Sequence, residues 1–214
     1  TGMHLSPEYG MTVKEIEKDG FDIADRVEML LSSDTSAGVA ASMGMGTVGF
    51  AQAFSRFKPD ILLVLGDRFE MHAAVVASLP FKIPVAHIHG GESTEGSIDE
   101  QLRHSITKMS HLHFASTCAY ANRIKQMGED PWRVVVSGAP ALDNLRRFSL
   151  LGRDDLKKTH GLEIDDQTLL VTYHPVTLQY EQTEYQVDEL LKALDEVGLR
   201  SIFTYPNADT QGRL

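Results

Sequence analysis

Two stretches of sequence decide the fold, ILLVLGDR at positions 61–68 and IPVAHIHGGE at positions 83–92. Each one begins as an apolar run and ends in glycine with charged or imidazole side chains. Apolar runs without polar alternation are typical of parallel strands that helices bury. A helical pattern at 69–79 separates the two runs. The sequence therefore predicts a β-α-β unit whose polar residues follow the carboxyl ends of its strands.

Short apolar runs and longer amphipathic segments continue to alternate along the rest of the chain. Further strands are predicted at 26–31, 112–115, 133–136, 168–173 and 200–204, and further helices at 37–56, 98–109, 118–127, 153–159 and 180–197. This rhythm predicts an open, doubly wound α/β fold with a parallel sheet. Ligands of such sheets bind outside the carboxyl ends of the strands.

A polar stretch at 146–167 lacks a strand and precedes a new β-α-β pattern. We therefore expect residues 1–150 to form the first Rossmann-like domain and residues 151–214 to begin a second, incomplete one. The chain opens on a turn-like TGMHLSP and closes on a loop at 205–209. We expect a fragment truncated at both ends, without the first strand of its first domain.

Composition and charge narrow the class of partner. The chain has 214 residues and a net charge of −10, with acidic and basic residues interspersed. This charge disfavours nucleic acid as a partner, whereas backbone amides can still bind a small anion. No apolar run reaches the roughly 18 residues of a membrane span. The single cysteine, Cys118, cannot form an internal disulfide, which predicts a cytoplasmic protein.

Carboxylates collect near the predicted carboxyl edge. Asp67 follows the first apolar run, Glu92 follows the second, and Asp99 opens the next helix. Carboxyl groups in different environments are what general acid–base catalysis requires. The same residues also have structural interpretations, because Asp67 can cap a helix and acids in a first turn are favoured by the helix dipole. Both interpretations stay open at this point.

The histidines allow a metal-site interpretation, which we consider weaker. His87 and His89 share one face of a predicted strand, and His111 and His113 share a face of another. No HExxH or similar spacing accompanies them, so hydrogen bonding to backbone or water is favoured. His104 lies four residues after Glu100, where it can form an i,i+4 pair or face the pocket.

The stretch GMGTVG at 44–49 matches the G-x-G-x-x-G pattern of dinucleotide sites. A small-residue helical pattern, and not a strand, precedes it. We therefore predict that these glycines allow a helix to pack closely, and we do not predict a nicotinamide site.

Several motifs together carry a family resemblance. GDRFE at 66–70, HIHGGE at 87–92, IDE at 98–100, SGAPALD at 137–143 and YHPVT at 173–177 occur in one order along the chain. In this order they resemble the hydrolysing UDP-N-acetylglucosamine 2-epimerases. The resemblance implies a GT-B-like pair of Rossmann-like domains, with the active site in the cleft between them. It also implies a UDP-sugar substrate, no cofactor and no metal, and a homo-oligomer.

The resemblance assigns roles by position. Asp67 and Asp99 match catalytic carboxylates of the family. A third carboxylate position is occupied here by His89, and the nearest acid is Glu92. This departure resembles the branch that acts on a UDP-2,4-diacetamido-2,4,6-trideoxyhexose, the precursor of legionaminic-type sugars. The residues expected to contact substrate or UDP are His4, Arg68, His87, Gly90, Gly91, Arg103, His104 and His174.

The implied reaction turns the UDP-sugar and water into the free 2-epimeric sugar and UDP through a glycal, in sialic or legionaminic acid biosynthesis. Two other enzymes remain as alternatives, a GT-B-type glycosyltransferase and a non-hydrolysing UDP-sugar 2-epimerase. A non-catalytic module that senses nucleotide sugars is a third interpretation.

Overall fold

The computed structural model describes residues 1–33 and 35–204. Its larger sheet has four parallel strands in the order of the chain. These strands are β1 (Leu62–Leu65), β2 (Val85–Ile88), β3 (Leu112–Ala115) and β4 (Val134–Val136). The register aligns Leu65 with Ile88 and Ile88 with Phe114, so the carboxyl ends of three strands meet at one edge. The predicted α/β class with a parallel sheet is confirmed.

Eight α-helices accompany the strands in the described residues. They are α1 (Val13–Lys18), α2 (Ser36–Phe57), α3 (Phe69–Ser78), α4 (Asp99–Met109), α5 (Cys118–Gln126), α6 (Asn144–Arg147), α7 (Arg153–His160) and α8 (Thr183–Val197). A bilayer-spanning helix would have to be longer and more apolar than any helix in the described part of the chain.

The crossover helices cover one face of the larger sheet. Val64 and Val85 on that face pack with Val75 of α3 and Ile106 of α4, and all four are at most 2% exposed. Right-handed crossovers between strands in sequential order place α3, α4 and α5 on the same side. On the opposite face Leu63 remains 61% exposed, so the described helices provide one of the two predicted layers.

The predicted strand at 26–31 is wrong. The segment is extended and buries Val27 and Met29, but within the described residues it pairs with no strand. It packs against α2, where a Cβ at Gly46 would lie 2.5 Å from Met29 Cε. Its backbone hydrogen bonds go to side chains, as when Leu31 N donates to Ser42 Oγ at 3.1 Å. Gly46 and Gly49 thus serve the close packing predicted for the 44–49 stretch, whereas a Cβ at Gly44 would meet open space.

A second, two-stranded parallel sheet pairs β5 (Leu169–Val171) with β6 (Ser201–Phe203). It confirms the predicted strands at 168–173 and 200–204. No helix or strand covers residues 148–152, between α6 and α7. The division into two domains near residue 150 stays a prediction, and the predicted loop at 205–209 lies outside the described residues.

Candidate active site

The carboxyl edge of the larger sheet brings together side chains that are far apart in sequence. Gly66 N donates to Ile88 O at 2.9 Å, and His89 N donates to Phe114 O at 3.0 Å. These bonds extend the strand pairing by one residue. They place Asp67, His89 and the residues after β3 side by side, as the apolar runs predict.

Asp67 is ion-paired with Arg103, which projects from α4. The Arg103 side chain is 6% exposed and also donates to Thr94 Oγ1 at 2.8 Å. Burial lowers the pKa of this guanidinium below its usual value. A neighbouring guanidinium favours the ionised form of a carboxyl group, which is the form that can accept a proton. Asp67 does not cap α3, whose N-cap is Arg68 and lacks a side-chain capping bond.

Asp99 lies at the start of α4 and is held by Ser97. The Ser97 hydroxyl donates to Asp99 Oδ2 at 2.5 Å and accepts from Asp99 N at 3.1 Å. Asp99 and Arg103 are four residues apart on α4, so they lie on the same helix face. Asp99 therefore lies one turn before the residue that pairs with Asp67.

Glu100 fastens the loop that precedes α4. Its carboxylate accepts from Thr94 N at 2.6 Å and from the Ser93 hydroxyl at 3.1 Å. Burial alone would raise the pKa of Glu100, but these bonds, with help from His104, outweigh burial and lower it. His104 Nε2 lies 3.1 Å from Glu100 Oε1, which confirms the i,i+4 pairing.

His89, Glu92 and Ser116 form a hydrogen-bonded group at the ends of β2 and β3. His89 Nδ1 lies 2.6 Å from Glu92 Oε1, and the Ser116 hydroxyl donates to the same oxygen at 2.6 Å. His89 has a φ of +65°, in the left-handed region that non-glycine residues rarely adopt. Such backbone outliers concentrate at functional sites.

The buried ring of His87 contacts residues that form the carboxyl edge. Its ring is fully buried, with Nε2 2.7 Å from Gly66 O and Nδ1 3.2 Å from Thr107 Oγ1. Burial lowers the pKa of His87 to about 4. A ring without exposed surface offers a ligand no direct contact in this structure, so it acts on the site through Gly66 and Gly90.

The two glycines after β2 are required by close packing. A Cβ at Gly90 would lie 2.9 Å from His87 Nδ1, and one at Gly91 would lie 2.6 Å from Tyr120 O. Gly91 also has a φ of +74°. Both residues are buried, so the turn they form carries the edge and fixes its shape.

The remaining predicted contact residues are dispersed. Arg68 Nε lies 3.5 Å from Glu70 Oε2, while exposed His4 places Nδ1 2.7 Å from Thr12 Oγ1. His174 is exposed after β5, in a segment that approaches the edge, because Leu178 N donates to Gly96 O at 3.2 Å. Their contact with substrate stays a prediction.

The histidines of the edge do not form a shared metal site. In the described ranges, no group of three or more His, Cys, Asp or Glu side chains is placed to hold a metal ion. His111 accepts a hydrogen bond from Val85 N at 3.2 Å, at the amino end of β2. Sequence reasoning missed Thr94 as a partner of Arg103, because that contact depends on the path of the loop.

The carboxyl edge of the parallel sheet thus carries an aspartate paired with an arginine and a histidine paired with a glutamate. The sequence matches the family described as UDP-N-acetylglucosamine 2-epimerase across residues 1–214. The chain belongs to this family, and the resemblance stated from the motifs is confirmed.

Two curated relatives match over the whole chain. A GDP/UDP-N,N'-diacetylbacillosamine 2-epimerase (hydrolyzing) of Campylobacter jejuni is 43% identical over 215 residues, covering 100% of this chain and 56% of the relative. A UDP-N,N'-diacetylbacillosamine 2-epimerase (hydrolyzing) of Legionella pneumophila is 38% identical over 214 residues, again covering 100% of this chain and 56% of the relative. The chain thus spans about half the length of the curated relatives it matches.

A solved structure shares the fold. The Methanocaldococcus jannaschii UDP-GlcNAc 2-epimerase in complex with UDP-GlcNAc and UDP superposes with a TM-score of 0.71 at 18% identity. The match covers 90% of this chain and 53% of that one.

Proposed function

We propose that the protein containing this chain is a hydrolysing 2-epimerase of a UDP-linked 2-acetamido sugar. The names of the two curated relatives support the 2,4-diacetamido-2,4,6-trideoxy sugar over UDP-N-acetylglucosamine as substrate. The observation that carries the proposal is the pairing of Asp67 with Arg103, one turn from Asp99 on α4. This arrangement supports an acid–base pair formed by Asp67 and Asp99.

The chemistry of the substrate explains this requirement. The C2 proton of a 2-acetamido sugar has no adjacent carbonyl, so its direct removal is too costly. Departure of UDP from C1 builds positive charge on the ring, after which a carboxylate removes the C2 proton and a glycal forms. Water then adds at C1 while an acid returns a proton to C2 from the other face. One group acts as base and another as acid.

Asp67 and Asp99 are the groups we assign to proton transfer at C2. Asp67 is ion-paired with Arg103, and Asp99 accepts a hydrogen bond from the Ser97 hydroxyl. We assign binding of UDP and sugar to His4, Arg68, His174 and the turn around Gly90. Departing UDP needs hydrogen-bond donors and cations and no redox cofactor.

We extend the proposal to the context of the enzyme. The product fits the biosynthesis of sialic or legionaminic acids, and a cytoplasmic homo-oligomer with a cleft between two Rossmann-like domains is the expected form. The contact of Leu178 with Gly96 supports a cleft at this edge.

The test uses the full-length protein with each of the two UDP-sugars in D2O, followed by NMR. We expect release of UDP and a free 2-epimer that carries deuterium at C2. Asp67→Asn and Asp99→Asn should each lower turnover about 100- to 10,000-fold while UDP binding by calorimetry persists. Asp60→Asn, an exposed aspartate just before β1, is the matched control.

Near-normal turnover in both site variants would refute the assignment. Retention of UDP on the epimerised sugar would identify a non-hydrolysing epimerase. UDP release that requires an acceptor and leaves C2 unlabelled would identify a glycosyltransferase. UDP binding without turnover would identify a sensor.

A further inference from the structure

We propose that His89 is the base that activates the water added at C1, and that Glu92 and Ser116 are the positioning residues that hold its ring. The inference rests on the proposed function and deepens it, because it separates activation of the water from proton transfer at C2.

The hydrogen bond to Glu92 fixes which nitrogen of His89 is free. A carboxylate only accepts, so Nδ1 carries the proton in the 2.6 Å contact with Glu92 Oε1. A neutral imidazole then presents the lone pair of Nε2. Nε2 makes no hydrogen bond within the described part of the chain, and the side chain keeps 21% of its surface exposed. The ring therefore carries an accessible base at the edge.

Glu92 is itself held in place. The Ser116 hydroxyl donates to the oxygen that faces His89, which leaves this carboxylate oxygen with two donors. The turn between His89 and Glu92 is also fixed, because Arg123 Nη1 donates to Gly91 O at 2.6 Å. A catalytic group that is held by packing and hydrogen bonds requires little reorganisation during the reaction.

The position of His89 relative to Asp67 supports a role in the reaction. His89 directly follows Ile88, and Ile88 accepts the amide of Gly66, the residue before Asp67. His89 thus follows the strand adjacent to the one that leads to Asp67, the proposed C2 carboxylate. The other partly exposed histidine–glutamate pair, His104 with Glu100, differs because the nitrogen of His104 that does not face Glu100 is buried.

The step balances as follows. The oxygen of water forms a bond to C1 of the glycal, and one of its protons goes to His89 Nε2. The electrons of the C1–C2 double bond take a proton at C2 from a carboxylic acid of the edge. The products are the free sugar, an imidazolium paired with Glu92, and a carboxylate. Solvent then restores the protonation states.

The first test is chemical rescue in the full-length protein. His89→Gly adopts a φ of +65° without strain and leaves space for an added base. We expect turnover to fall about 100- to 10,000-fold and to recover at least about tenfold with added imidazole, saturably. His111→Asn, at the amino end of the same sheet, should keep turnover and ignore imidazole. Normal turnover in His89→Gly, or loss without rescue, would overturn the proposal.

The second test addresses Glu92 and Ser116. Glu92→Gln and Ser116→Ala should lower kcat with little change in KM, and in the double variant Glu92→Gln/His89→Gly the losses should not add. Additive losses, or an effect on KM alone, would contradict the positioning role.

Nitrogen-15 NMR tests the pair without any turnover. His89 should be protonated on Nδ1 in the wild type and lose this preference in Glu92→Gln. A wild type that releases no UDP from either sugar would defeat the proposed function, whatever the NMR result. An active wild type whose His89 is protonated on Nε2 would defeat only this inference.

Discussion

The larger sheet carries two histidine–glutamate pairs with opposite properties. At its carboxyl edge, the side chains of His89 and Glu92 are 21% and 25% exposed. On the helix-covered face, the side chains of His113 and Glu129 are 0% and 7% exposed, and Lys108 Nζ lies 2.5 Å from Glu129 Oε1. Both pairs consist of a histidine and a glutamate, so their different roles must come from their different surroundings.

Burial dictates the charge state of the covered pair. It lowers the pKa of His113 despite the neighbouring Glu129, so the ring is neutral at neutral pH. Burial also acts to raise the pKa of Glu129, but the hydrogen bond and charge of Lys108 outweigh it and lower this pKa. The negative charge of Glu129 is therefore balanced by Lys108. The covered pair links α4, β3 and the loop after α5, whereas the open pair keeps a free nitrogen.

The largest expected effect comes from Arg103, which is buried yet serves the open edge. Arg103→Met should abolish turnover and lower the free energy of unfolding by about 3 kcal/mol, because it leaves Asp67 without its counter-charge. Urea denaturation and the UDP-release assay measure the two effects. Arg103→Lys keeps the charge without the fork and should fall between. If Arg103→Met had wild-type stability, burial of a side chain would not distinguish a structural role from a catalytic one.

His87 lies between the two pairs and should make stability depend on pH. Its folded pKa, about 4, lies below the value of 6.5 in the unfolded chain. Protons therefore bind the unfolded chain first as the pH falls from 6.5. The resulting loss in the free energy of unfolding is absent above pH 6.5, grows as the pH falls to about 4, and reaches about 3 kcal/mol.

Urea denaturation between pH 7.5 and 4 measures this loss, and His87→Gln should flatten the curve. Histidine NMR of the wild type gives a second reading. A ring that titrates near its ordinary value would remove the expected slope.

The smallest effects compare the two glutamates directly. Glu129→Gln should lower the free energy of unfolding by about 1–2 kcal/mol, since it removes a charged partner of Lys108, and leave turnover within about twofold. Glu92→Gln should change stability by less than about 1 kcal/mol, because the pair is partly solvated, while turnover falls. Calorimetric melting measures the stability of each variant, and the turnover assay measures its activity. If both variants changed stability equally, or changed turnover equally, the covered and open pairs would not differ in role.

Much of the fold could be predicted because strand and helix periodicities are local. The runs at 61–65 and 83–88 contain β1 and β2, and the polar residues after them mark the edge. The segment 26–31 misled because burial of Val27 and Met29 on one side satisfies a strand pattern as well as packing on α2.

Long-range partners could not be predicted from spacing. Arg103 and Asp67 are 36 residues apart, and His113 joins Glu129 only through the path of α5. The pairing of His89 with Glu92 is easier to predict from the sequence, because the two residues flank a Gly-Gly turn after a strand.

The loop between Thr94 and Gly96 has a mechanical consequence. Thr94 accepts from the guanidinium that holds Asp67, and two residues later Gly96 accepts from Leu178. Two residues of backbone reach no further than about 7 Å. The partner of Asp67 and the chain that follows β5 are therefore joined through one short stretch of backbone.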